Sequence, residues 1–216
     1  LLIALRGRLR EQGCFTAGPE PNLRQYLDLV ALGTIADVVP LVEENRIFVT
    51  YGLKEMSATS RVGVTALKDV AGVAGRVGCG AVGFRLAPRL NAAGRLEDAS
   101  LGVELLLTGD RSRAATLAAE LDRSNGERQA LERSILDEAT AMVRANPAMA
   151  SKRSIVLASD SWHPGVVGIV ASRLVDRFHR PTILIALQDG TGRGSGRSVP
   201  APHRLEALSA CGEHLE

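Results

Sequence analysis

Apolar residues recur at helical spacing over most of residues 1–150, and run together in strand-like blocks only beyond that point. Asn22, a helix-capping residue type, precedes Leu23, Tyr26, Leu27, Val30 and Ala31, which share one helical face. That helix is predicted to end near Gly33, before a short extended run at residues 38–41. Glu43 then starts a second helix carrying Ile47, Tyr51 and Leu53, and a polar stretch at residues 57–60 closes the region. Over about 61–150 the spacing predicts helices at residues 64–70, 82–90 and 100–107, and a long one from Asp110 to Asn146. Unbroken, the last would be roughly 50 Å long at about 1.5 Å per residue. Its apolar stripe (Ala114, Leu117, Ala118, Leu121) lapses over residues 122–129, which include Gly126, and resumes at Leu131, Ile135, Ala139 and Met142. The lapse predicts either a kink or a polar face turned to something other than core.

The third region changes character. Residues 154–158 read as a buried strand, Pro164 opens a helix over 166–178, and Pro181 precedes a second strand at 182–187. A glycine-rich run at 190–198 and a short helix from His203 follow. Strand–helix–strand with connections this short predicts parallel pairing through a right-handed crossover. A division near residue 150 is the clearest along the chain.

Composition narrows the function classes. With 45% hydrophobic and 23% charged residues the chain can build a core, and it is not a disordered segment. A net charge of +2 gives no overall basic field, so any nucleic-acid contact must come from local groups of arginines. Aromatics at 3% are too few for an extended base-stacking platform, which weighs against a pure binding module. Cys14, Cys79 and Cys211 are far apart and read as reduced thiols of a cytoplasmic protein. No apolar run approaches the roughly 20 residues of a membrane span. The chain opens without an initiator methionine and is expected to be an internal piece of a longer protein.

Four places could carry chemistry. Asp37 follows a helix end among apolar neighbours, where a hard-metal ligand could sit. Taken alone, the local pattern favours an aspartate that bonds backbone N–H groups of its own turn. Arg89, Asn91 and Arg95 lie within one or two helical turns, and two guanidinium groups converging on one anion would suit a phosphate. The other role for these arginines is pairing with Glu97 and Asp98 on a solvated surface. The run at 190–198 reads as an anion-binding loop in which Ser195, Arg197 and Ser198 supply donors and no acceptor charge. It fits neither the Walker A nor the dinucleotide-binding fingerprint. His163, at the start of an apolar helix, could touch a phosphate attracted by the helix N-terminus, or serve only as a cap. No Ser-His-Asp or Cys-His arrangement is present.

Four strings taken together carry a family signal: ALGTIADVVPL at residues 31–41, FRLAPRLNAAGR at 84–95, WHPGVVGIVASR at 162–173 and GSGRS at 194–198. In their order and separations they resemble the RecJ family of the DHH phosphoesterase superfamily, over essentially the whole chain. The resemblance implies an α/β fold: the C-terminal part of a DHH catalytic domain at 1–60, a helical connector with the long helix at 61–150, and a small, incomplete DHHA1 domain at 151–216. It implies a single-stranded-DNA 5′ exonuclease of DNA repair and recombination, using Mn²⁺ or Mg²⁺ in a two-metal site. The implied substrate is single-stranded DNA with a 5′ end, and the implied companions are a single-stranded-DNA-binding protein and a helicase. By the resemblance Asp37 becomes a metal ligand, which reverses the local reading. Ser195, Arg197 and Ser198 become holders of the 5′-phosphate, and Arg89, Asn91, Arg95 and His163 line the DNA cleft. Asn125, Arg128 and Gln129 are expected along the DNA path. The family's other metal ligands and its Asp-His-His string are absent here, as is a Gly-Gly-His segment, so the 216 residues alone are expected to be inactive. Two other readings stand beside this one. One is a superfamily phosphoesterase acting on oligoribonucleotides or a nucleoside bisphosphate; the other is a non-catalytic single-strand-binding protein.

Overall fold

The computed structural model describes residues 1–96, 98–200, 209, 210 and 212. They form two compact units, Leu1–Ser124 and Asn125–Glu216, and one long helix runs through the division. The mixed α/β class, the long helix and the small α/β part agree with the expected fold.

The first unit is helical. Helix α1 (Leu2–Glu11) buries no residue. Asn22 accepts from Arg24 N and so caps a short 3₁₀ turn, Leu23–Tyr26, that leads into α2 (Leu27–Ala36). Helix α2 outlasts the predicted stop at Gly33, because glycine without a positive φ does not break a helix whose next residues still bond. The segment after it is irregular and its first residues form a turn. Val38 turns the chain with φ 54, and α3 begins at Glu43 and ends at Ser57. Helix α3 buries Val49, Gly52 and Met56; of the predicted face Leu53 packs against the core, while Ile47 and Tyr51 are exposed. Gly52 lets α3 lie so close to α2 that an added Cβ would be 2.2 Å from the Leu27 carbonyl oxygen.

Beyond α3 come α4 (Val62–Val70), the short α5 (Cys79–Ala81), a π-helical turn (Val82–Leu86), α6 (Ala87–Leu96) and α7 (Ser100–Leu107). Their core joins Leu32, Met56, Leu67, Val82, Leu86 and Leu105 to Ala114, Leu117, Ala118 and Leu121. Those last four belong to α8 (Arg111–Ala145), a helix of 35 residues that continues through Gly126. The predicted lapse therefore does not end the helix, and not all of its polar residues are turned to solvent. Within the polar stretch Ser124, Asn125 and Arg128 are buried, as is Glu132 just beyond it.

The second unit packs α9 (Pro164–Phe178) on a sheet of order β1-β2-β3, formed by Ile155–Ser159, Thr182–Gln188 and Thr191–Arg197. Strands β1 and β2 are parallel, as the short connections predicted, with Leu157 opposite Leu184. The run at 190–198 is a correction. It is not a loop but β3, antiparallel to β2 with Ser195 opposite Leu184. Asp189 and Gly190 turn the hairpin with φ 50 and 77, the two positive values that a type I′ turn requires. The alternate glycines put Gly192, Gly194 and Gly196 on one face against Ile183, Ile185 and Leu187, which sends Arg193, Ser195 and Arg197 to the other. The helix expected from His203 and the thiol of Cys211 lie outside the described residues.

Candidate functional site

Asp37 caps the C-terminus of α2, with its own N–H donating to Gly33 O at 3.0 Å. Its side chain is exposed and bonds no backbone N–H of the turn, which removes the local role first favoured for it. Next to it, Val38 is 86% exposed and sits in the left-handed region that a β-branched residue rarely occupies. Strain of this kind persists where the surroundings impose it, and it gathers at functional sites.

Helix α2 is held firmly behind Asp37. Asp28, near its N-terminus, is buried; it accepts from Thr59 Oγ1 at 3.1 Å and from Arg61 Nε at 3.2 Å. A buried carboxylate is tolerable only with partners of this kind.

Helix α6 does not gather its three candidates. At about 100° per residue Asn91 and Arg95 share a face, and Arg89 points to another. Asn91 and Arg95 are exposed, whereas Arg89 is mostly covered and donates through Nε to Asp122 Oδ1 of α8 at 2.8 Å. Pairing with Asp98 does not occur for Arg89. Asp98 instead accepts from Ser100 N and Oγ, and the backbone bond, first, with the hydroxyl bond holds its carboxyl below the usual range. Glu97 lies outside the described residues.

The second unit does bring its candidates together. Arg197 Nη1 donates to Ser195 Oγ at 2.9 Å and to Gly196 O at 2.7 Å. Both side chains lie against the N-terminal half of α9. A Cβ on Gly168 would come 2.9 Å from Ser195 Oγ and 3.1 Å from Arg197 Nη2. His163 caps that same helix, its Nδ1 accepting from Gly165 N at 3.1 Å. The oxygen of Ser198 is buried without a partner among the described residues. The Arg197 guanidinium and the Ser195 hydroxyl, set against the N-terminal half of α9, make an electropositive corner suited to phosphate oxygens. Gly168 is the member that sequence reasoning missed; a glycine inside an apolar helix was the available signal.

Asn125 and Arg128 are not open to a strand. Arg128 donates to Glu132 Oε2 at 2.6 Å and to Asn125 Oδ1 at 3.1 Å, and Glu132 also pairs with Arg173 of α9. Gln129 alone of the three is exposed. A further carboxylate, Glu138, accepts from the indole of buried Trp162 at 2.9 Å and from Ser161 at 3.1 Å. No described helix is long and apolar enough to cross a membrane.

No family model matches the chain. The single-stranded-DNA-specific exonuclease RecJ of Bacillus subtilis (strain 168) is 46% identical over 194 residues, 88% of this chain and 24% of that protein. RecJ of Escherichia coli (strain K12) is 45% identical over 217 residues, 96% of this chain and 37% of that protein. The crystal structure of RecJ in complex with Mg²⁺ from Thermus thermophilus matches with TM-score 0.80 and 40% identity, over 95% of this chain and 30% of that one. The chain is RecJ-like along nearly its whole length. It spans between 24% and 37% of the curated RecJ proteins it matches. Another RecJ structure, bound to manganese, matches with TM-score 0.74 at 41% identity. In this RecJ-like chain no three His, Cys, Asp or Glu among the described residues are placed to hold a metal ion. Asp37 offers one hard oxygen, and the described residues do not complete a metal site around it.

Proposed function

We propose that these residues serve a metal-dependent exonuclease that degrades single-stranded DNA from its 5′ end to mononucleotides in the cytoplasm, during DNA repair and recombination. The observation that supports it best is the donor-only corner of Ser195, Arg197 and the α9 N-terminus, within a chain more than 40% identical to RecJ proteins. A terminal phosphate carries more charge than an internal diester, so such a corner would favour a 5′-phosphorylated end. In this reading Ser195 and Arg197 hold that phosphate, Ser198 adds its hydroxyl, and His163 orients the first turn of α9. Asn91 and Arg95 meet the strand directly. Arg89 acts less directly, since Asp122 already holds its guanidinium.

Two Mn²⁺ or Mg²⁺ ions would supply an activated water and neutralise charge on the reacting phosphoryl oxygens. Asp37 would contribute one ligand, held out from the rigid end of α2. Taken by themselves, the 216 residues would be inactive for want of the other ligands. A single-stranded-DNA-binding protein and a helicase would deliver the strand.

The test uses the full-length nuclease with 5′-phosphorylated single-stranded DNA and Mn²⁺, following mononucleotide release. Asp37→Asn should lower the rate by about 10³-fold, several kcal/mol of transition-state stabilisation. Activity that survives the change would return Asp37 to a capping role. Cleavage of short oligoribonucleotides and not DNA would favour the small-substrate phosphoesterase.

A further inference from the structure

Strand β1 ends at Ser159, and after a short connection His163 caps α9. Ser159 shares a row of the sheet with Ala186 and Arg193, one same-face step from the row of Leu157, Leu184 and Ser195. The connection therefore leaves the carboxyl end of a parallel strand, the edge at which α/β sheets bind ligands. Residues 160–162 belong to neither the strand nor the helix, yet they decide where the first turn of α9 stands. Gly168, in the next turn, already lies against Ser195 Oγ and Arg197 Nη2, so a small rotation of the helix start alters the donor corner.

One side chain holds that connection. Glu138 of α8 accepts through Oε2 from the Trp162 indole N–H at 2.9 Å and from Ser161 Oγ at 3.1 Å. Its Oε1 accepts from Ser159 Oγ at 3.2 Å, and Ser161 N donates to Ser159 Oγ at 3.3 Å. A single carboxylate thus gathers the end of β1, the middle of the connection and the residue before the cap. Trp162 is 1% exposed, and the N–H is the only hydrogen-bonding group of its ring, so burying it calls for an acceptor in a fixed place. The next residue is His163, whose Nδ1 accepts from Gly165 N. Glu138 itself is exposed and adds nothing to the apolar core; what it fixes is the position of these donors.

We propose that Glu138 is a positioning residue for recognition of the 5′-phosphate: through Trp162 and Ser161 it sets His163 and the start of α9 in place beside Ser195 and Arg197. This rests on the exonuclease reading above, and adds to it a residue that acts through others. The backbone N–H groups of a helix start favour an anion only when they point at it, so their aim matters as much as their presence. A glutamate fits the task because it offers acceptors alone, and the groups around it are donors.

The experiment measures equilibrium binding of the full-length nuclease, in EDTA so that no strand is cut, to oligothymidylate with a 5′-phosphate or a 5′-hydroxyl. The readout is the preference for the phosphorylated strand, with the urea unfolding midpoint of each variant measured beside it. Glu138→Ala should reduce that preference about 5- to 10-fold, the effect of about one hydrogen bond, and leave the hydroxyl strand nearly unaffected. Glu138→Gln should restore it, because the amide oxygen still accepts from the indole and Ser161 can accept from the amide nitrogen. Trp162→Phe, which keeps a ring without the N–H, should lose as much as Glu138→Ala, and the double variant no more than either. A full preference in both Glu138→Ala and Trp162→Phe would overturn the proposal and leave Glu138 a stability contact only. So would losses that add in the double variant. Where the Ala variant fails to fold, the Gln and Phe variants decide: a preference kept in Gln and reduced in Phe supports the proposal, and one kept in both overturns it. A wild type that binds the two strands equally would overturn the phosphate-holding reading and the proposal with it, whereas a wild-type preference that the variants keep overturns the proposal alone.

Discussion

Each unit has a glycine on a packed helix face, Gly52 and Gly168, and the two face different kinds of neighbour. Gly52 of α3 faces backbone: an added Cβ would lie 2.2 Å from the Leu27 oxygen and 2.6 Å from Ala31 Cβ. Gly168 of α9 faces the tips of two candidate phosphate-holding side chains, Ser195 Oγ and Arg197 Nη2. Backbone cannot move aside without shifting a helix, whereas a hydroxyl and a guanidinium can rotate away. The first glycine therefore bears on stability and on the platform under Asp37, the second on the shape of the donor corner. The buried carboxylates make a parallel pair. Asp28 has a partner, Arg61, whose side chain is 23% exposed, while Glu132 has Arg128 at 11%.

That contrast can be pressed with substitutions. The largest effect is expected from Glu132→Ala, which leaves Arg128 buried without its carboxylate and should destabilise by about 3–5 kcal/mol. Equilibrium unfolding in urea would show it. Asp28→Ala should cost less, about 1–3 kcal/mol, because Arg61 can reach water. Equal losses at the two sites would break the distinction. Gly52→Ala should also lower stability by about 1–3 kcal/mol through overpacking, despite the better helix propensity of alanine. Gly168→Ala should change stability by under about 1 kcal/mol. It should instead raise KM roughly tenfold for 5′-phosphorylated DNA, the loss of one charge-assisted bond, and leave 5′-hydroxyl DNA nearly unaffected. A melting loss at Gly168 as large as that at Gly52 would show that the corner is structural.

Local pattern alone determined a great deal here. The long helix, the parallel pair β1–β2 and most helix positions follow from periodicity and from proline and asparagine at element starts, since those signals act within a few residues. Asp37, Ser195, Arg197 and His163 were singled out as candidates because their motifs are short and contiguous. Tertiary structure decided what those signals do not encode. Periodicity marked residues 122–129 as not apolar, but only packing could show that Asn125 and Arg128 are buried with Glu132 and Arg173. Arg89 reads as a group for a phosphate or for Glu97 and Asp98, yet its partner Asp122 is 33 residues away. The glycines of β3 read as a loop because glycine is usual in loops; the sheet accepts them because isoleucines of β2 cover that face. In each case the missing term was a contact between distant residues, and its energy depends on which groups the fold brings within reach.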